Sequence, residues 1–513
     1  MAAAGKKSAT GGVKRKSSAT QAKPVKRAKS ETPESSDDED DIQEQVLALE
    51  AEILESKKHY NNIPKLIKIL ETEDAVIAAI ALCRVFSRLM ASGEMTKQPK
   101  ASEKELVVVA WLKERYLEYK NGLLELLESP EVAPTIFALC LRLLKSEGQH
   151  FKNGQDYAFP TRFLTDIVRT LLTAEDAEEV RKEFSEKYVE ENDDVRYYTL
   201  EAIATIMNEE DGADTQRAVD NAIEILSSIE SVPEDAEELE DFYIPKPKKK
   251  SHNLYSLNAH KKVAQEAWLA VFRSELTKEQ RKMVLGMMTS LVAPWFNKPE
   301  LLMDFLVDSY NSGGSTSLLA LSGVFYLIQE RNLDYPDFYK KLYSLLDSGL
   351  LHSKHRSKFF RLLDTFMSST HLPAVLVASF IKRLSRLALN APPAGIVAIV
   401  PWIYNMLRRH PTCTFMIHRE VRTEEEKEQL EQEGMDDPFN PDEEDPMETN
   451  AIDSCLWELV TLQSHYHPNV ATIAKIISEQ FTKQQYNLED FLDHSYGSVS
   501  HIPPGFWSAV TNT

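Results

Sequence analysis

The chain has 513 residues, 42% of them hydrophobic, and a formal net charge of −21, enough for a large buried core in two or three domains or one long repeat array. No run reaches the ~18 uninterrupted apolar residues of a membrane span, and no apolar segment follows Met1 to act as a signal peptide. The four cysteines, Cys83, Cys140, Cys413 and Cys455, form no CxxC pair and argue against a disulfide framework, while only 17 glycines favour helix over a turn-rich β fold.

Residues 1–41 are low in complexity and are expected to form a disordered tail, basic and then acidic. Residues 1–30 hold nine Lys or Arg and no acid, so the rest of the chain carries 50 basic groups against 80 acidic ones. Lys14 and Arg15, followed by Lys26, Arg27 and Lys29, have the spacing of a bipartite signal for a nuclear import receptor. Thr32 precedes a proline, and Ser35 and Ser36 precede five acidic residues, which makes these three the candidate phosphorylation sites. A body this acidic repels nucleic acid on average, so any RNA contact needs a local basic patch or the tail.

Residues 42–230 read as N-terminal helical repeats. Val76, Ile80, Cys83 and Met90 mark one helix face. Ser129-Pro130 divides a helix carrying Trp111–Leu127 from another over Val132–Lys145. Further pairs are expected at Phe159–Leu172 with Asp176–Tyr188, and at Val195–Met207 with Gln216–Ile229. Degenerate pairs of about 40 residues fit a HEAT- or armadillo-like solenoid better than a tetratricopeptide array. Residues 231–260 read as an exposed charged linker with a Lys run at 248–250. Helices resume over 261–481, interrupted by an acidic insertion at 420–448 with 14 Asp or Glu, expected to be a solvated loop. Residues 482–513 are expected to be a flexible tail.

No catalytic motif emerges, and neither a cofactor nor enzyme activity is expected. His410, Cys413, His418, His465 and His467 match no compact zinc spacing, and His465 and His467 suit a helix end better. The Ser312-Gly313-Gly314-Ser315-Thr316 run lacks the lysine of a nucleotide loop, so its hydroxyls are expected to cap the next helix. Lys354, Lys358 and Arg361 recur at i, i+4 and i+7 with Arg356 beside them, and Lys382, Arg383 and Arg386 mark a second helix. Such faces suit RNA phosphates, or equally acidic loops of the same chain. Trp457 with Leu456, Leu459 and Leu462 reads as a helix packing face, with a partner anchor as the alternative.

The strings LDYPDFYKKLYSLLD (333–347), HSKHRSKFFRLLDTFMSSTHLP (352–373), LRRHP (407–411), EEDP (443–446) and SCLWELVTLQSHYHP (454–468) resemble the CCAAT-binding-factor-type family of nucleolar complex proteins. The resemblance is most specific over residues 300–481 and collinear from Asp74, and it is greatest to the family's small-subunit assembly member. It implies an all-α scaffold in the nucleolus, without enzyme activity. It also implies a heterodimer with nucleolar protein fourteen in the small-subunit processome, contacts with pre-ribosomal particle proteins, and a need in small-subunit rRNA maturation. The matched positions Glu443, Glu444, Asp445, Trp457, Tyr466, His467 and Pro468 are the candidate partner-binding residues. Family members often continue past a segment like 491–496 with charged helix, whereas this chain reads GSVSHIPPGFWSAVTNT. A large-subunit paralogue would differ in the precursor RNA it affects. A helical nuclear transport adaptor would seldom need its own import-like tail.

Overall fold

The computed structural model describes residues 35–96, 102–152, 156–209, 215–331, 337–418, 423–434, 437–478 and 484–494. The import-like clusters and Thr32 lie outside them, as does the tail beyond residue 494. Among the described residues there are helices, turns and irregular segments but no strand. The fold is the expected all-α helical repeat.

The chain divides into two compact units, Met1–Leu82 and Cys83–Thr513. The first holds α1 (Ser35–Glu55), α2 (Ile63–Ile69) and the start of α3 (Ala75–Ala91). The expected disordered tail therefore ends early, since α1 begins at Ser35. Val46, Ile53, Ile63 and Leu66 are buried within this unit, and the Asn62 amide donates to Glu52 at 2.7 Å.

The second unit continues with α4 (Glu103–Leu127), α5 (Ala133–His150), α6 (Thr161–Thr173), α7 (Glu178–Phe184), α8 (Asp193–Met207) and α9 (Thr215–Ser227). Next come α10 (Leu257–Arg273), α11 (Lys278–Met287), α12 (Met303–Asn311), α13 (Gly314–Arg331), α14 (Phe338–Ser344), α15 (Ser348–His352) and α16 (Arg356–Phe366). The last are α17 (Ala374–Ala388), α18 (Pro393–Arg409), α19 (Glu424–Glu433), α20 (Trp457–Leu462), α21 (Pro468–Ala474) and α22 (Glu489–Leu492). Local sequence sets the ends: Ser102 with Glu105, and Thr277 with Gln280, form capping boxes, and Pro134 enters the first turn of α5. The π-type turn Ser185–Val189 follows α7 where one longer helix was expected.

Neighbouring helices pack as pairs: α4 on α5, α6 on α8 and α9, α12 on α13, and α17 on α18. Tyr116 and Tyr119 bury their rings against Phe86, and the Tyr116 hydroxyl donates to Glu147 at 2.7 Å. Helix α18 is buried on all sides, and α17, α21 and α22 pack on it. Pro401 lies inside this helix, which runs through it. An all-round apolar helix in this setting is a core element, and no helix among the described residues is long and apolar enough to cross a membrane.

Residues 231–256 correct the expectation of an exposed linker. Leu239 and Ile244 are buried, and the backbone is pinned by three aspartates. Asp241 N donates to Asp193 at 3.0 Å, Tyr243 N and Ile244 N donate to Asp194 at 2.8 and 3.1 Å, and Lys248 N donates to Asp156 at 2.6 Å. Asp193 also pairs with Arg196. The segment is a strap across α5 and α8, with the Tyr243 hydroxyl donating to Leu141 O at 3.1 Å. Ile244 sits so close to Gly148 that a Cβ there would meet its side chain at 2.8 Å. Beyond the strap, α10 packs directly on α8, so helices on both sides of it share one core.

His260 of α10 is buried, with Nε2 3.0 Å from Leu254 O. Burial lowers its pKa to about 4, the Leu254 carbonyl opposes the shift, and the Arg196 charge adds to it. An unfolded histidine titrates near 6.5. Between these values the unfolded chain binds a proton that the native chain does not. His260 therefore stabilises the fold fully above about pH 6.5, and this contribution is lost as pH falls toward 4. The slope approaches ~1.4 kcal/mol per pH unit. His260→Gln is expected to flatten the urea-midpoint profile between pH 6.5 and 4, and an unchanged profile would remove His260 as the cause.

Candidate functional site

Two of the strings that carried the family resemblance, EEDP and SCLWELVTLQSHYHP, meet at α17. Ser379 of α17 donates to Pro446 O at 2.6 Å and lies 2.6 Å from the Thr449 hydroxyl. The EEDP turn is thereby fastened to the helix, with the Asp445 amide donating to Glu443 and the Met447 amide donating to Asp445. One turn further along α17, the Lys382 side chain is 0% exposed. Its ammonium lies 2.7 Å from Glu458, 3.0 Å from Asp437, and donates to Cys455 O at 2.6 Å. Arg386 reaches Asp437 at 2.5 Å, and its Nε is 2.8 Å from Glu458 Oε1, a close contact of charges rather than an aligned hydrogen bond. Its guanidinium stacks on the Trp457 ring at 4.7 Å, and the Trp457 indole donates to Asp437 at 3.0 Å.

Two cations and two carboxylates thus tie α17 to the segment before α20 and to α20 itself. Burial pushes the Glu458 carboxyl up, with Lys382 acting the other way. Burial also works on Asp437, but the Trp457 indole and the Lys382 ammonium prevail and hold it below the usual carboxylate range.

This cluster changes the reading of several residues. Lys382 is withdrawn from any phosphate contact, because its charge is buried against carboxylates. Arg383 donates to Leu346 O at 2.8 Å and stacks on Tyr343, and Arg386 belongs to the cluster. Arg356 is buried and donates to Leu351 O and His494 O at 3.2 and 2.9 Å. Arg361 pairs with Glu489 and Asp493 at 2.7 and 3.2 Å. Lys354 precedes α16 rather than lying on it, so the expected i, i+4, i+7 face is not one helix face. Lys354 and Lys358 alone of the seven have neither a side-chain hydrogen bond nor an ion pair among the described residues.

The acidic insertion is corrected too. Its first half contains the exposed helix α19, but Asp437, Phe439, Pro446 and Thr449 pack into the unit because Lys382, Arg386 and Ser379 hold them. Residues 419–422 and 435–436 lie outside the described residues.

Trp457 does not belong to the buried stripe of α20, which Glu458, Leu459 and Leu462 form. Trp457 is 38% exposed, Val460 64% and Tyr466 81%, giving an apolar ridge on the outer side of α20 and the turn after it. Glu444 is exposed, Glu443 and Asp445 are partly covered, and Lys340 lies 3.9 Å from Asp445. His465 Nδ1 accepts from the His467 amide at 3.1 Å instead of meeting helix carbonyls. Pro468 opens α21, and His467 precedes it without a side-chain cap. His410 lies 3.1 Å from Met367 O. Among the described residues no set of three His, Cys, Asp or Glu is grouped to hold a metal.

Sequence reading missed Asp437, Glu458, Asp193 and Asp194. The available signal for Glu458 was a carboxylate inside the apolar run LWELV. In the Ser312–Thr316 run, the Ser312 hydroxyl donates back to Ser309 O at 2.7 Å, not forward as a cap of α13.

Two family models match the chain. One, described as "Nucleolar complex protein 4-like, TPR repeats", covers residues 35–212, and the other, the CBF/Mak21 family, covers residues 317–474. Neither description names a catalytic activity. An uncharacterized protein of Schizosaccharomyces pombe is 40% identical over 471 residues, spanning 88% of this chain and 93% of its own. The Nucleolar complex protein 4 homolog of Danio rerio is 35% identical over 465 residues, 86% of each chain. Nucleolar complex protein 4 of Saccharomyces cerevisiae is 34% identical over 495 residues, 86% of this chain and 88% of its own. With relatives 34–35% identical over 86% of its length, and a family model that spans both strings meeting at α17, the chain belongs to the nucleolar complex protein 4 family, with a C-terminal segment of the CBF/Mak21 type.

Proposed function

We propose that this chain is a non-enzymatic nucleolar scaffold of ribosome biogenesis, acting on the small subunit as a heterodimer with nucleolar protein fourteen. The observation that carries the reading is relatedness over 86% of the chain to proteins named for a nucleolar complex. The ridge of Trp457, Val460 and Tyr466 supports a partner surface, since solvent-facing aromatics on a rigid support are favoured interface anchors. Exposed Glu444 and Glu448, with half-buried Glu443 and Asp445 on the turn fastened to α17, suit a partner segment rich in Lys and Arg. The candidate import residues and phosphoserines of the N-terminal segment fit a nuclear protein.

Gentle purification of the tagged chain from its own cells tests this. One stoichiometric partner of the nucleolar protein fourteen type with small-subunit precursor RNA is expected. Large-subunit precursors would assign it a paralogue's role, and transport factors without precursor RNA would overturn the reading. Tyr466→Ala with Val460→Asp is the informative surface variant, because neither side chain supports the charge cluster. It is expected to lower partner recovery at least ~10-fold, the loss of one or two anchors, with an unchanged melting temperature.

A further inference from the structure

We propose that the cleft between α11, the start of α13 and the α14–α16 segment binds the phosphodiester backbone of RNA. The choice of RNA as the ligand rests on the reading of the chain as a ribosome-assembly factor. The cleft measures about 690 Å³, and Lys282, Lys341, Lys354 and His355 line it together with Gly313 and Gly314. The three lysines have no carboxylate partner among the described residues, in a chain whose net charge is −21. Asp347 is the one carboxylate among the lining residues, and its Oδ1 accepts from Leu350 N at 2.8 Å, which caps α15.

The lysine charges converge. His355 is held below its ordinary pKa first by burial and then by Lys358, Lys282 and Lys354 together. Like charges gathered without a counterion raise the free energy of the empty site and favour a polyanion that neutralises several at once. The floor is open backbone. Gly313 and Gly314 have φ of 81° and 62°, in the left-handed region, and nothing lies within 4 Å of where a Cβ would stand. The first-turn amides of α13 begin there, lack helical partners, and add the positive end of the dipole.

The side-chain types favour RNA over a phosphopeptide. Sites for a phosphomonoester dianion typically use the bidentate fork of arginine, and no arginine lines this cleft. Lysines act as point charges, and Lys358 carries the row of charge onto α16 beyond the cleft. No exposed Phe, Tyr or Trp lines it, so contact would follow the backbone, with His352 the one exposed ring among the lining residues.

The test uses the full chain, a labelled single-stranded RNA of about 20 nucleotides, and fluorescence anisotropy across about 50–200 mM salt. The variant is Lys282→Glu, Lys341→Glu, Lys354→Glu. A control with the same charge change, Lys65→Glu, Lys262→Glu, Lys278→Glu, accounts for net charge and for the basic N-terminal segment. The cleft variant is expected to bind roughly 10-fold more weakly than the control, with a salt slope shallower by about 2, as three lost phosphate contacts on a single strand require. Equal losses in both variants, or no loss, would overturn the proposal. So would loss of a phosphoserine-peptide interaction with RNA binding intact, which would make the cleft a phosphoprotein site. Thermal melting checks that both variants fold. The scaffold reading stands or falls separately, on the RNA and partner that co-purify from cells.

Discussion

Asp194→Ala is expected to release the strap over residues 239–250 and to destabilise the second unit by roughly 4 kcal/mol, because three buried backbone donors lose one acceptor. Asp194 is fully buried and accepts from Val195 N at 2.9 Å, Tyr243 N at 2.8 Å and Ile244 N at 3.1 Å, and from the Tyr157 hydroxyl at 3.2 Å. Burial pushes its carboxyl up, and those four donors work against burial. No nearby side chain can replace it: Asp193 already holds Arg196 and the Asp241 amide. The measurement is limited trypsin digestion with a urea melt. Lys248, Lys249 and Lys250 are already exposed, and release of the strap frees their backbone to enter the protease, so rapid cutting there is expected before global unfolding. A variant cut no faster than wild type would show that the strap holds without Asp194, through Asp193, Asp156 and its apolar contacts at Leu239 and Ile244. Gly148→Leu probes the same strap from beneath, since the added side chain must displace Ile244.

Lys382→Met is expected to cost about 3–5 kcal/mol, whereas Lys382→Met with Glu458→Leu is expected to be close to neutral. The single variant strands Glu458, which is 0% exposed, with Arg386 as its remaining cation. The double variant removes both desolvated charges and leaves the Arg386–Asp437 pair and the Trp457 stack in place. The Cys455 carbonyl loses its donor in both, so the contrast isolates the stranded charge. Chemical denaturation of wild type, both singles and the double gives the coupling energy. Additive losses would mean that the pair is not the element joining α17 to α20. Partner recovery on the same proteins is informative. If the cluster only builds the surface, the double variant keeps the partner while the unstable single loses it.

The helices and the family were legible in the sequence because they depend on local signals, whereas the pairing was only partly so, since α6 packs on α8 and α9 rather than on α7. Periodic apolar residues, Ser102 and Thr277 caps, and Pro or Gly turns act within a few residues of one another. So does the family resemblance, which is carried by short strings. The roles of charged residues were not legible, because a charge takes its meaning from partners distant in the chain. Lys382 and Glu458 are 76 residues apart, and Asp194 meets Ile244 50 residues away. In sequence, Lys382 and Lys354 looked alike. Packing buried one against two carboxylates and left the other in a cleft with Lys282 and Lys341. The segments 231–260 and 437–449 read as solvated for the same reason, since composition registers their charge but not the acceptors and cations waiting on α8 and α17. Sequence alone thus determined the helical class and the family. Only tertiary structure decided which charges hold the fold together and which remain available to a ligand, because pairing energy depends on distance and burial rather than on residue type.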